Sequence, residues 1–358
     1  MKQQIAERYA GAEEIEASIA ALPEDGTDHW ADTREVIDTY HPKRLHLQIS
    51  EVIQETDSTA TFRLRRPDGG LLPPFLAGQY VAVFVDGTSR PFAISSSPAR
   101  RDHYDLTVKR VPGGRVSNLT LDTWRMGDAV LTGGPMGTFF HNPLFHGDDV
   151  VFVAGGSGVA PAMSMIRDIL DNDLDRRFRL VYGSRGDVIF ADELRGIDDA
   201  RITVDLVLDN DGLITGEELG QLGDRMVYVC GPPAMYPYAL GLLEGLGHPR
   251  RRVRFEANGP PVDVTREPSW PAEAPAAASV TTRRGRFETR CDRPLLDALE
   301  DEGIAVESAC RSGECSLCRV RVKSGQVYSA DQALMRRSDA HYVHSCVAYP
   351  VGDVELDL

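Results

Sequence analysis

Three cysteines packed into nine residues constrain this chain more than any other feature. Cys310, Cys315 and Cys318 follow the spacing C-x4-C-x2-C, and Cys346 stands as a distant fourth. Three thiolates from one tight loop, with a fourth returning from elsewhere, is the arrangement that holds a two-iron, two-sulfur cluster. Small residues and Gly313 let the loop curl, so that backbone amides point at the sulfurs and stabilise an added electron. Structural zinc is the alternative, but zinc sites use paired Cys-x2–4-Cys hooks, and only Cys315 and Cys318 form one. Cys230 and Cys291 lie outside the motif and by default are small buried hydrophobes.

A chain of 358 residues has room for two or three domains at roughly 100–200 residues each. Hydrophobic residues make up 42% and charged residues 26%, as in ordinary globular proteins. No run approaches the ~18 apolar residues of a membrane span, and the start, MKQQIAERYAGAEEIE, lacks the apolar stretch of a signal peptide. A cytoplasmic protein without membrane insertion is expected. The net charge is −15, and residues 1–42 carry ten acidic residues against three basic ones. That balance argues against nucleic acid and anionic membranes as partners.

Residues 1–42 are expected to be a helical acidic extension, serving as a solvated cap or a docking arm. Ile15, Ile19 and Leu22 form one stripe, and Asp32 with Glu35 suggests a capping-box start for a second helix. From residue 43 to 146 the period shortens to two. LHLQISEVI, ATFRLRR, QYVAVFV, PFAIS, YDLTVKRV and DAVLTGG read as short strands between Gly- and Pro-rich turns, which predicts an antiparallel barrel. Residues 147–258 alternate strand and helix, which predicts a doubly wound parallel sheet. Residues 259–279, rich in Pro and Ala, read as an extended linker. A small domain fills residues 280–358, with a helix near Pro294–Glu302. The fold class is thus multidomain, α+β joined to α/β.

The last domain resembles a plant-type ferredoxin of β-grasp fold, and all four cysteine ligands match. In the middle region, Ala154-Gly-Gly-Ser-Gly-Val-Ala-Pro161 joins a strand to a helix, and Cys230-Gly231-Pro232 ends a later strand. The helix N-terminus there offers amides and a positive dipole end to a pyrophosphate. These turns resemble the NAD(P)-binding lobe of the ferredoxin–NADP reductase superfamily. By that resemblance Gly156, Ser157, Gly158, Pro161, Gly231 and Pro232 line the nucleotide path. Cys230 flanks the nicotinamide, and Glu256 closes the lobe beside it. Ser184 and Arg185 end the second strand, where a ribose 2′-phosphate would lie. No acid occupies those two positions, which tips the balance slightly from NADH toward NADPH.

In the barrel, Arg90-Pro91-Phe92-Ala93-Ile94-Ser95 resembles the superfamily's flavin motif R-x-Y-S/T, and Val111-Pro-Gly-Gly114-Arg-Val116-Ser117 resembles its phosphate turn. The resemblance implies that Arg90 and Ser117 contact the flavin phosphate, that residue 92 packs on the ring, and that Val108, Lys109, Gly114 and Val116 line the site. Phe92 replaces the usual Tyr. Ala93 replaces a Ser or Thr whose hydroxyl faces the reactive flavin nitrogen, which leaves the Ala93 backbone N–H for that task. The Ser-rich tail after Ile94 favours FAD over FMN.

A hydride carries two electrons and a [2Fe–2S] cluster accepts one, and a flavin between them resolves the mismatch. The expected route runs from NAD(P)H through flavin and cluster to a protein acceptor, as in the reductase components of oxygenases. The nine histidines are scattered, with no Rieske pair, so substrate chemistry is expected on another protein. A stand-alone flavin, ferric or cluster-protein reductase is the alternative, and a regulatory module with a vestigial flavin site is a third reading.

Overall fold

The computed structural model describes residues 31–40, 42–208, 213–256, 260–261, 263–267, 269–313, 315–330, 334–336 and 341–358. Two units are distinguished, Met1–His41 and Pro42–Leu358. In the first, α1 (Ala31–Tyr40) buries none of its residues. Asp32 lies in the first turn of the described helix. The stripe of Ile15, Ile19 and Leu22 lies outside the described residues.

The second unit opens with β1 (Leu45–Thr56), β2 (Thr59–Arg65), β3 (Tyr80–Val85), β4 (Thr88–Ala93), β5 (Tyr104–Lys109), α2 (Arg115–Thr123) and β6 (Ala129–Thr132). The antiparallel order is β4-β3-β6-β1-β2-β5, and an Ile94–Leu106 bridge joins the two edges into a barrel. Alternation in β1 sends Leu45, Leu47 and Ile49 inward, where they meet Phe62, Leu64, Tyr104 and Leu106. Trp124, just past α2, packs edge-on against Phe62 at 5.1 Å. Gly114 is the residue before α2, so the Val111–Ser117 turn runs into a helix start.

Next come β7 (Asp149–Gly155), α3 (Val159–Asp171), β8 (Arg177–Gly183), α4 (Ala191–Arg195), β9 (Ile202–Val207), α5 (Gly216–Leu219), β10 (Met226–Cys230), α6 (Met235–Gly245) and β11 (Val253–Phe255). All five strands are parallel, in the order β11-β10-β7-β8-β9. The order reverses between β7 and β10, which opens a crevice at their C-terminal ends. One core lies on the α3 face, around Phe152, Ile166 and Tyr182. The other lies on the α6 face, around Val151, Val229 and Leu243.

The last region holds β12 (Ala277–Thr282), β13 (Gly285–Arg290), α7 (Leu295–Asp301), β14 (Arg319–Ser329), β15 (Leu334–Arg336), β16 (His341–His344) and β17 (Ala348–Leu356). Its sheet runs β13-β12-β17-β14-β15, with β16 also on β14 and β12 parallel to β17. Leu295, Leu296 and Leu299 of α7 are buried, and Leu295 and Leu299 pack into the sheet's core. The segment expected as an extended linker differs from that reading. Val264 is buried, Trp270 packs edge-on against Tyr328 at 5.2 Å and Tyr349 at 6.1 Å, and β12 starts as early as Ala277. Two apolar anchors convert a Pro/Ala-rich strip into part of this domain's surface.

A buried histidine gives the nucleotide lobe a pH signature. His146 Nδ1 accepts from the Asn142 N–H at 3.0 Å and lies 2.5 Å from the Tyr228 hydroxyl. Burial, then the charge of Arg254, push its pKa down to about 4. The unfolded chain therefore binds the proton first as pH falls, and stability drops between the ordinary histidine value of about 6.5 and about 4. Equilibrium unfolding across that window is predicted to show a shallower pH dependence in His146→Gln than in the parent protein.

Candidate functional site

The four thiols converge. Cys310, Cys315 and Cys318 occupy the loop before β14, and Cys346 sits in the helical turn Ser345–Val347 that leads into β17. Cys310, Cys318 and Cys346 are buried, Cys315 is half-buried, and none forms a disulfide. Cys318 and Cys346 sulfurs lie 3.2 Å apart. The Ser312 and Cys315 N–H groups donate to Cys310 Sγ at 3.4 Å, the amide-to-sulfur pattern expected of the curled loop. Arg311, Gly313 and Ser316 take left-handed backbone conformations that produce the curl. Ser345 donates its N–H and hydroxyl to the Cys318 carbonyl, at 3.0 and 2.8 Å, and so ties the turn that carries Cys346 to the loop.

Thiol–thiol contacts from Cys315 and Cys346 hold Cys310 well below the usual thiol range, and Cys346 holds Cys318 down to about 7. The donors Cys315 and Cys346 are pushed up by the same contacts and by burial. Three buried sulfurs and one half-buried, with two backbone amides already aimed at Cys310, are a donor set that fits a thiolate-held iron–sulfur group.

The glycine turn works by close approach. Gly156 has φ +54°, and residues Gly156–Gly158 form one helical turn before α3. A Cβ on Gly158 would lie 2.1 Å from the Cys230 carbonyl oxygen, so only glycine lets the turn press against the end of β10. A Cβ on Gly231 would strike Met235 Sδ at 2.4 Å. No side chain caps α3, whose N-terminal amides face the turn, and Pro161 fits its first turn. Cys230 Sγ donates to Glu256 Oε2 at 2.9 Å, and both residues are buried. The Glu256 N–H donates to the Val229 carbonyl at 3.2 Å, which places the carboxylate at the same sheet edge.

The barrel strand meets this turn. Lys109 Nζ lies 3.7 Å from where a Gly156 Cβ would be. Ser164 of α3 donates to the Ser96 carbonyl at 2.8 Å, and Arg167 donates to the Ser95 carbonyl at 2.7 Å. Tyr80 exchanges its backbone bonds with Met136, and the Ile94 N–H goes to Gln79. Ala93, opposite Tyr80, therefore holds a position whose N–H is turned away from β3, as a hydrogen-bonding amide toward a ring nitrogen requires. Arg90 is exposed, within the field of Arg311, Asp297 and Glu300. Phe92 is half-buried against the barrel core. A Cβ on Gly114 would lie 2.5 Å from Ser117 Oγ, so this glycine brings the Val111–Gly114 turn close to that serine.

Some expected residues contribute differently. Val108, Ile94 and Val116 are buried, Val108 and Ile94 in the barrel core, so any cofactor contact from those two is made by backbone. Ser184 is buried and its hydroxyl donates to the Asp187 carbonyl at 2.5 Å, which leaves Arg185 as the exposed group of that pair. Sequence reasoning missed Asn118, whose amide oxygen accepts the Val111 N–H at 3.2 Å and whose amide nitrogen donates to the Val111 carbonyl at 3.0 Å. It also missed Arg311, bonded to Asp297 at 3.0 Å and to Glu300. An Asn one residue after Ser117 was a readable signal for the first. Nothing local marked the second.

Comparison with known proteins agrees module by module. Residues 45–141 match an oxidoreductase FAD-binding domain, 152–240 an oxidoreductase NAD-binding domain, and 280–351 a 2Fe-2S iron-sulfur cluster binding domain. The chain is 32% identical to the phthalate 4,5-dioxygenase oxygenase reductase subunit of Pseudomonas putida, over 83% of this chain and 91% of that one. It is 30% identical to the 3-ketosteroid-9-alpha-monooxygenase ferredoxin reductase component of Mycolicibacterium smegmatis, over 86% and 95%. The solved structure of phthalate dioxygenase reductase covers 88% of this chain and 98% of its own, with 27% identity and a TM-score of 0.65. This chain belongs to the ferredoxin–NADP reductase superfamily, among the NAD(P)H-dependent flavin and iron–sulfur oxidoreductases that use FAD and a C-terminal [2Fe–2S] domain.

Proposed function

We propose that this chain is the reductase component of a terminal oxygenase and works in the cytoplasm. The observation that carries the reading is the match to oxygenase reductase components over 83–86% of this chain and 91–95% of theirs, a span that takes in its FAD-binding, NAD-binding and 2Fe-2S domains. When bound, the flavin accepts a hydride and releases electrons one at a time, which suits a nicotinamide donor and a one-electron cluster. Among the described residues no helix is long and apolar enough to cross a membrane. None of the six cysteines forms a disulfide, which suits a reducing compartment.

The residues divide the work. Arg90 and the α2 turn at Gly114–Ser117 hold the flavin phosphate, the first by a guanidinium and the second by helix-start amides. Phe92 would pack on the ring, and the Ala93 N–H, turned away from β3, would be the amide offered to its reactive nitrogen. Gly156–Gly158 and the α3 N-terminus take the pyrophosphate. Cys230 and Glu256 stand beside the nicotinamide, where the carboxylate fixes the thiol's direction. Arg185 pairs with a ribose 2′-phosphate, which supports NADPH. Cys310, Cys315, Cys318 and Cys346 hold the cluster.

Three outcomes follow. In steady-state assays with a dye acceptor, Glu256→Gln is predicted to lower kcat by on the order of 10² while KM for the nucleotide stays within about threefold, because it disturbs orientation rather than binding. Arg185→Glu is predicted to raise KM for NADPH about tenfold relative to NADH, the worth of one charged contact. Gly158→Ala is predicted to cost about 1–3 kcal/mol in denaturant unfolding through overpacking against Cys230. The oxygenase assignment is tested with purified Rieske-type and diiron oxygenases from the same organism. Product formed in step with NAD(P)H oxidation supports it. Dye and ferric reduction without coupling to any of them identifies a stand-alone reductase.

A further inference from the structure

We propose that Ser89 is a positioning residue for electron transfer, a hydroxyl clamp that fixes the cluster loop to the strand carrying the flavin. The proposal rests on the reading that β4 holds the flavin through Arg90. Ser89 precedes Arg90 and is 1% exposed. Its Oγ donates to the Ala309 carbonyl at 3.1 Å, and the Ser308 carbonyl lies 3.3 Å away. Ala309 is bonded directly to Cys310. A serine near the edge of a barrel could satisfy its hydroxyl on its own strand or in water. This one reaches a partner 220 residues further along the chain.

The surrounding contacts fall on the same short stretch. Glu307 lies 3.8 Å from Arg44, which precedes β1. Arg311 shares its field with Arg90 while its own guanidinium is held by Asp297 and Glu300 of α7. Residues 307–309 therefore meet the barrel through an outer ion pair and a buried hydrogen bond, the α7 carboxylates offset the like charges of Arg311 and Arg90, and the barrel residue bonded nearest Cys310 is Ser89. Removing its hydroxyl strands a buried carbonyl beside a cluster ligand, which favours separation or rotation of the loop.

The clamp acts on distance. In the step it serves, one electron leaves the flavin and one enters the cluster, with NAD(P)H as the reductant, and Ser89 is neither oxidised nor reduced. A short path of bonds, from the Arg90 backbone through Ser89 Cβ and Oγ and across the hydrogen bond to Ala309 and Cys310, links the two sites. A loop displacement of even about 1 Å degrades a geometry-dependent step strongly.

The test compares Ser89→Ala and Ser89→Thr holoenzymes with the parent, using Ser89→Val as the shape control for Thr. In anaerobic stopped-flow work the NAD(P)H-to-flavin phase is expected to stay within about twofold in every variant. The flavin-to-cluster phase is expected to slow about tenfold in Ala and Val, and to recover within about threefold in Thr, which restores the hydrogen bond. Hydrogen exchange supplies a readout independent of activity: amides of residues 308–312 exchange faster in Ala and Val, with flavin and iron contents unchanged. An unslowed cluster phase or unchanged exchange in Ala overturns the clamp. Arg90→Ala separates the two readings. Loss of flavin from it, beside an unslowed Ser89→Ala, overturns the clamp alone. Full flavin retention in it overturns the assignment of β4, and the clamp with it.

Discussion

One strand and its extension, residues 88–97, bind the working parts of the molecule to each other through buried backbone and hydroxyl contacts. At one end, Ser89 donates to the Ala309 carbonyl, just before Cys310. At the other, the Ser95 and Ser96 carbonyls accept from Arg167 and Ser164 of the lobe's first helix. Between them lie Arg90 and Ala93, in the middle of a barrel edge whose remaining bonds are committed to β3 and Leu106. A relay needs its stations at fixed distances, and a strand held at three points sets those distances better than loops could.

The lobe meets the same demand by removing side chains. Gly158 presses on the Cys230 carbonyl with no room for a Cβ, and Gly231 passes beneath the Met235 thioether. The result is a bare backbone floor beside a buried thiol–carboxylate pair. The cluster loop uses a third device. Left-handed turns at Arg311, Gly313 and Ser316 aim amides inward, and the Arg311 side chain is neutralised by two carboxylates of α7. In each case strain or exclusion is accepted where a cofactor needs close approach.

The features legible in the sequence were those whose chemistry is local. Cysteine spacing, the glycine turn with its helix, and period-two strands such as Leu45-Leu47-Ile49 state their roles within a few residues. Other features depended on distant partners. Ser89 is an ordinary serine until residue 309 folds onto it. Ser184 looked like a phosphate contact, but the chain returns at Asp187 and takes its hydroxyl. The linker's composition averaged away Val264 and Trp270, the two residues that dock it. Strand β13 buries none of its side chains fully, so it carries no apolar rhythm to read.

Anaerobic reductive titration of the purified protein, followed by optical absorbance and electron paramagnetic resonance, tests the central claim most directly. The account predicts uptake of about three electrons per chain, two at the flavin and one at the cluster, with the resonance of a reduced two-iron centre at the end point. Uptake that stops at the flavin, without that resonance and with zinc bound by the four cysteines, would contradict it.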